Sequence, residues 1–238
     1  MEIELGIDDD NDYSNRIREQ RWHKYLFTAA ALIFGVVAIS YTVKHSHYKD
    51  LTKSQQPESA HESQLFTFTL ENLGEHSNET GTIFIETLPE WAPLGVDRFH
   101  DLVASDFFSG CHFFRVVPNF IVQFGINGDP EIQAQWETEI IDDDPVVAKN
   151  VRGTVTFATA GPKTRTTQLF INTKNNKFLD GQGFAPIGRV VRGMEYVDNI
   201  NAQWGETPDQ QGITQFGNDF LDQNFPGLSQ ISSAKPAL

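Results

Sequence analysis

The sequence predicts a mainly β protein: a closed antiparallel β-barrel capped by two α-helices, with one transmembrane helix ahead of it. Three observations lead there. Short apolar segments, alternating or continuous, recur through the chain after residue 65 and are separated by turn-rich intervals. Only two stretches of that body carry a helical apolar period. The 19 residues Tyr25 to Val43 hold no charge.

That uncharged stretch, as a helix, spans about 28 Å, close to one hydrocarbon core. The 24 residues before it include an acidic run, Glu2, Glu4, Asp8, Asp9, Asp10 and Asp12. Such a leader is too long and acidic, and the apolar stretch too extended, for an ordinary cleaved signal peptide, so an uncleaved signal anchor is the preferred reading. Arg16, Arg18, Arg21 and Lys24 precede the span, against Lys44, Lys49 and Lys53 after it. This excess favours residues 1–24 in the cytoplasm and a lumenal or extracellular body, a single-pass type II arrangement. Asn78-Glu79-Thr80 is a glycosylation acceptor triplet that suits that side. Residues 44–64 are polar, lack an apolar period and read as a tether.

The body, residues 65–232 with a short tail at 233–238, opens with Phe66 to Leu70 and Gly81 to Leu88, a predicted hairpin. Pro93 starts a helix on which Val96, Phe99, Leu102, Val103 and Phe107 recur. The run Phe113 to Phe124 reads as a strand, as do Gly153 to Ala158, Gln168 to Asn172 and Ile187 to Val191. Met194 to Asn201 reads as the second helix, with Met194, Val197 and Ile200 on one face.

Charge and cysteine content narrow the functions. Of 32 acidic and 18 basic residues, 7 and 4 lie before residue 44, leaving 25 against 14 and a net charge of about −11 on the remainder. A surface of that sign repels nucleic acid and anionic lipid headgroups. Cys111, the single cysteine, is expected to be a small buried thiol. The acidic group Glu137, Glu139, Asp142, Asp143 and Asp144 reads as a solvated loop rather than a divalent-cation site. His100 and His112 have no spacing suited to zinc or to a serine hydrolase.

One residue stands against its surroundings. Arg115 lies within the apolar run Phe113-Phe114-Arg115-Val116-Val117-Pro118-Asn119-Phe120-Ile121-Val122-Gln123-Phe124. A buried guanidinium costs several kcal/mol unless it is paired or used. It is therefore either an edge-strand arginine paired with a carboxylate such as Asp106, or a charge at the rim of an apolar pocket.

Four segments in order decide between these. They are the Phe113 to Gln123 run with Gly125 and Gly128-Asp129-Pro130; Arg152-Gly153-Thr154-Val155-Thr156-Phe157-Ala158-Thr159-Ala160-Gly161-Pro162; Thr166-Thr167-Gln168-Leu169-Phe170-Ile171-Asn172; and Phe178-Leu179-Asp180-Gly181-Gln182-Gly183-Phe184-Ala185-Pro186-Ile187-Gly188. Together they resemble the cyclophilin family of peptidyl-prolyl cis/trans isomerases, over roughly Gln64 to Ile231. The segment Gln215 to Pro226 resembles the ending found in one branch of that family.

The resemblance implies an eight-stranded barrel closed by two helices, a rotamase that needs no metal or cofactor, and proline-containing polypeptides as partners. It implies Arg115 as the donor to the prolyl nitrogen and Gln123 as the group that orients it. It places Phe120, Ile121, Phe170 and Leu179 around the proline ring, Ala158 and Thr159 along the groove, and Gln168 beside them. Three positions depart from the best-known members: Phe178 where many carry tryptophan, Thr159 where many carry asparagine, and Gly183 or Phe184 where a histidine usually lines the pocket. The tryptophan position matters for cyclosporin in the family, so weak cyclosporin binding is expected. Two functions are carried forward, a membrane-tethered isomerase that assists protein folding, and a catalytically weak module that binds proline-containing segments at a membrane.

Overall fold

Alternation along the chain dictates the first layer of the body. The computed structural model describes residues 62–74 and 79–237. The membrane span expected at Tyr25 to Val43, nearly all of the expected tether and Asn78 lie outside the described residues. No helix among the described residues is long and apolar enough to cross a membrane.

Strand β1 (Gln64–Leu73) pairs antiparallel with β2 (Glu79–Thr87), Phe68 facing Ile83. Phe66, Phe68 and Leu70 point inward and are buried, while the residues between them are half-exposed, as a two-residue period requires. Helix α1 (Pro93–Ala104) starts on its proline and lays Val96, Phe99, Leu102 and Val103 on the core. The next strands are β3 (Arg115–Val117), β4 (Ile121–Phe124), β5 (Thr154–Phe157), β6 (Leu169–Asn172), β7 (Pro186–Arg192) and β8 (Gln230–Pro236). All pair antiparallel in one sheet of order β3-β4-β6-β5-β7-β2-β1-β8.

The sheet curls into a half-barrel; the predicted closed barrel is corrected, because β3 and β8 remain its two ends. An isolated bridge between His112 and Gln230, with main-chain bonds from Gly110 to Ile231, from Ile231 to Cys111 and from Phe113 to Ser229, links the segment before β3 to β8. With three residues, β3 is too short to ladder along that partner.

The single strand expected over Phe113 to Phe124 is also corrected. Pro118, which has no N–H to give a ladder, and Asn119, at φ 59°, form a turn that folds the run into the β3–β4 hairpin. Helices are more numerous than the two predicted. The described residues add α2 (Pro130–Glu137), capped by the Asp129 carboxylate on the Glu131 N–H at 2.8 Å. The second expected helix is the short α3 (Met194–Asp198). Beyond it α4 (Gln210–Asn224) buries Ile213 and Leu221 and is kinked at Gly217, whose φ of 62° leaves the helical region. A side chain at Gly217 would meet the Gly128 carbonyl oxygen at 2.1 Å, so this close approach requires glycine. Asn218 docks the kink: its amide nitrogen donates to the Gly110 carbonyl at 3.0 Å, which turns Oδ1 toward His112 Nδ1, also at 3.0 Å. Burial lowers the pKa of His112, partly offset by Asn218 and Asp222.

Cys111 is buried, and burial drives its thiol pKa upward, so the thiol stays protonated and behaves as a small apolar group. The acidic loop is not wholly solvated, which corrects another expectation. Asp144 is buried, accepts the N–H groups of Leu94 and Gly95 at the start of α1 at 3.0 and 2.8 Å, and pairs with buried Arg165 at 3.1 Å. The α1 N-cap position is Ala92, which has no side-chain oxygen, so Asp144 does the capping from 50 residues away.

Candidate active site

The same strands that build the core also build a groove on their other side. Val122 and Phe124 of β4 and Leu169 and Ile171 of β6 enter the main core. Ile121 and Phe170, one residue out of phase, join Leu179 in a separate apolar cluster backed by Phe120, Ala158 and Phe184. Leu179 arrives on a 3₁₀ turn, Lys177–Gln182, tied down by Asn150, whose N–H and side-chain amide both donate to Asp180 Oδ1 at 2.8 and 2.9 Å. Asn176 Nδ2 donates to the Phe120 carbonyl at 2.8 Å and holds that turn against the groove.

This cluster floors a hollow of about 290 Å³. It is small beside drug-sized pockets and suits one compact apolar group. Phe178 and Phe120 stack with centroids 5.9 Å apart and an interplanar angle of 18°, forming one wall. Phe184 meets Phe170 edge to face at 5.7 Å and forms another. A neighbouring hollow of about 270 Å³ shares Gln123, Ala158 and Thr159 with the first and adds Gln168 and Gln210.

Arg115 stands at the mouth of the first hollow. Register places it opposite Gln123 across the β3–β4 hairpin. Its Nη1 donates to Gln123 Oε1 at 3.2 Å, and Gln123 Nε2 donates onward to Gln168 Oε1 at 2.9 Å, so each amide can have only one orientation. The guanidinium carbon lies 5.9 Å from the Phe120 ring centroid, within cation–π range. The other edge of the guanidinium pairs with a carboxylate, but not with Asp106. Nε and Nη2 lie 2.6 and 2.5 Å from Glu206 Oε1, while Asp106 accepts the Ser109 hydroxyl.

Nine of the ten residues named from the sequence line the first hollow: Arg115, Phe120, Ile121, Gln123, Ala158, Thr159, Phe170, Phe178 and Leu179. Gln168, the tenth, lines the second. The Thr159 hydroxyl is turned into its own loop, where it bonds Thr164 Oγ1 at 2.8 Å and the Gly161 N–H at 3.0 Å. Of Gly183 and Phe184, the two residues read against the histidine of many members, Phe184 lines the hollow; Gly183 ends the 3₁₀ turn at φ 89°. Gln182, Gln210 and Glu206 went unread. Glu206 lies 91 residues from its partner in a loop without apolar pattern, and no sequence signal connects them.

The site is thus an apolar hollow on a curled antiparallel half-barrel, lined by a tethered guanidinium and adjoined by a second hollow that adds Gln168 and Gln210. A sequence model of the family "Cyclophilin type peptidyl-prolyl cis-trans isomerase/CLD" matches residues 52–217. The chain is 36% identical over 130 residues to peptidyl-prolyl cis-trans isomerase A of Dickeya dadantii, covering 52% of this chain and 68% of that protein. It is 34% identical over 134 residues to peptidyl-prolyl cis-trans isomerase B of Escherichia coli, covering 52% and 80%. A crystal structure of a Cryptosporidium parvum cyclophilin-type isomerase superposes with a TM-score of 0.54 at 18% identity, covering 74% of this chain and 99% of that one. The same parasite protein determined in the presence of the dipeptide Ala-Pro gives 0.53 at 19% identity. This chain belongs to the cyclophilin-type peptidyl-prolyl cis-trans isomerase family of enzymes.

Proposed function

We propose that the groove isomerises Xaa-Pro bonds of polypeptides by stabilising the twisted amide with Arg115. The barrier to be lowered is about 18–20 kcal/mol, and it comes from sharing of the nitrogen lone pair with the carbonyl. At the half-turned geometry that pair returns to nitrogen and can accept a hydrogen bond. No bond is made or broken, so a positioned donor is sufficient chemistry. The observation that carries the proposal is the accounting of the guanidinium's donors. Of its five N–H groups, hydrogen bonds to Glu206 and Gln123 engage two, one on Nε and one on Nη1, while Nη2 makes an ion-pair contact with Glu206; one N–H on Nη1 and those on Nη2 are left outside these bonds, on a side chain that lines the hollow. The proline ring fits over Ile121, Phe170 and Leu179, and Ala158 and Thr159 offer main chain to the residue before it.

The Glu206 ion pair favours a second reading, because a carboxylate on the arginine weakens it as a donor: a module that binds proline segments with little turnover. A protease-coupled assay on a short Xaa-Pro peptide separates the two. The isomerase reading expects acceleration well above the thermal rate and, since exposed Phe178 replaces the expected tryptophan, only weak inhibition by cyclosporin. A rate equal to background overturns it in favour of binding alone.

The uncharged stretch Tyr25 to Val43 supports the further proposal that the enzyme is anchored in a membrane and assists folding of clients on the side of its body. The full chain, expressed in its own cell type, is then expected to stay with membranes through alkaline carbonate extraction. Release into the soluble fraction, or a mature chain beginning beyond residue 43, removes the anchor.

A further inference from the structure

We infer that Glu206 is a positioning residue for Arg115, holding the guanidinium plane so that its unengaged N–H groups face the hollow. The inference rests on the assignment of Arg115 as the donor. An arginine side chain on an edge strand has four rotatable bonds, and Gln123 alone, through one 3.2 Å contact, leaves the plane free to swing about that contact. Glu206 Oε1 accepts the Nε–H at 2.6 Å and lies 2.5 Å from Nη2, an ion-pair contact on another edge of the guanidinium. Contacts on two edges define a plane where one does not.

The loop that carries Glu206 is built for the task. β3 ends the sheet, so its outward N–H groups lack a strand partner; the Gly205 carbonyl accepts the Val116 N–H at 2.9 Å, one residue from Arg115. Gly205 takes up φ 56° and Thr207 N–H closes the turn on the Trp204 carbonyl at 2.9 Å, which puts Glu206 at the tip. Trp204 fixes one side, with Nε1 donating to the Pro226 carbonyl at 3.1 Å and its ring edge to face with Phe225 at 5.4 Å. Asp209 fixes the other by capping α4 through the Gly212 N–H at 2.8 Å. The pair is exposed on both sides, 28% for Arg115 and 58% for Glu206, and such pairs add little to folding stability. Its geometric effect is therefore separable from any effect on the fold.

The test compares Glu206→Ala and Glu206→Gln in the full chain, measuring kcat and KM separately. Glu206→Ala is expected to lower kcat about tenfold with KM little changed, as a misaimed catalytic group does. Glu206→Gln keeps the accepting oxygen and is expected to recover kcat to within about threefold of wild type. In NMR spectra the Arg115 Nε–H signal is expected to exchange slowly in the wild type and in Glu206→Gln and to exchange fast with water in Glu206→Ala. In an Arg115→Ala background Glu206→Ala has no further effect. Unchanged or increased kcat in Glu206→Ala overturns the inference while Arg115→Ala still abolishes turnover. If Arg115→Ala itself leaves turnover intact, the underlying assignment fails instead.

Discussion

Arg115→Ala is expected to reduce kcat for a Xaa-Pro peptide by about 10²–10³-fold, the usual cost of deleting one aimed electrostatic donor. Binding of the same peptide should change much less, because the donor acts on a lone pair that is delocalised in the ground state. Arg115→Lys should rescue little. Lysine offers a point charge on a flexible stem and cannot touch Glu206, Gln123 and substrate from one plane. The thermal midpoint should stay close to that of wild type, since the side chain is partly exposed and its pairs are worth little to the fold. Coupled-assay kinetics alongside a circular dichroism melt check both halves. An Arg115→Ala protein that folds normally and turns over at more than a third of the wild-type rate would end the mechanism.

Asp144→Ala should be the most damaging substitution for stability outside the groove. The side chain is 1% exposed and serves three donors, the N–H groups of Leu94 and Gly95 and the Arg165 guanidinium, itself 3% exposed. Arg165 also bonds the Asp142 carbonyl, and its Nε has an ion-pair contact with Asp143 at 3.4 Å without a hydrogen bond. Removing Asp144 leaves a buried cation with only the Asp142 carbonyl and the longer Asp143 contact, and uncaps α1, with an expected cost of about 3–5 kcal/mol. That is a large part of the 5–15 kcal/mol typical of a folded domain. The melting temperature should fall by about 6–20 °C, while turnover below the transition should persist because Asp144 does not line the groove. A fall of less than about 3 °C would show that the buried pair had been compensated.

These two residues mark the limit of what sequence could reveal. Arg115 was legible because a charge in an apolar run is costly wherever it is buried, and because its motif neighbours recur in order. Of the nine residues around the first hollow, Arg115, Ile121, Gln123 and Phe170 sit on short strands whose two-residue period survives in the sequence, and the other five come on the adjoining turns and loop within the same motifs. Asp144 was hidden in an acidic stretch that also includes exposed carboxylates such as Asp142, and composition does not distinguish a carboxylate folded inward from those beside it. The hairpin break at Pro118 and Asn119 was masked by apolar residues on both sides. Helix α4 was masked by Gly212 and Gly217, which weaken a helical pattern. Closure of the barrel depended on how far β3 could extend, and three residues proved too few.

Val122 and Phe124 lie back to back with Ile121 and Gln123, as do Leu169 and Ile171 with Phe170. The groove thus borrows its β4 and β6 side from the interior. Thermostability and turnover are consequently coupled along β4 and β6. A bulkier or smaller residue chosen to tighten the interior would also move the Arg115 relay and resize the apolar hollow, so attempts to harden this enzyme are better directed at β1, β2 and β8, which do not line it.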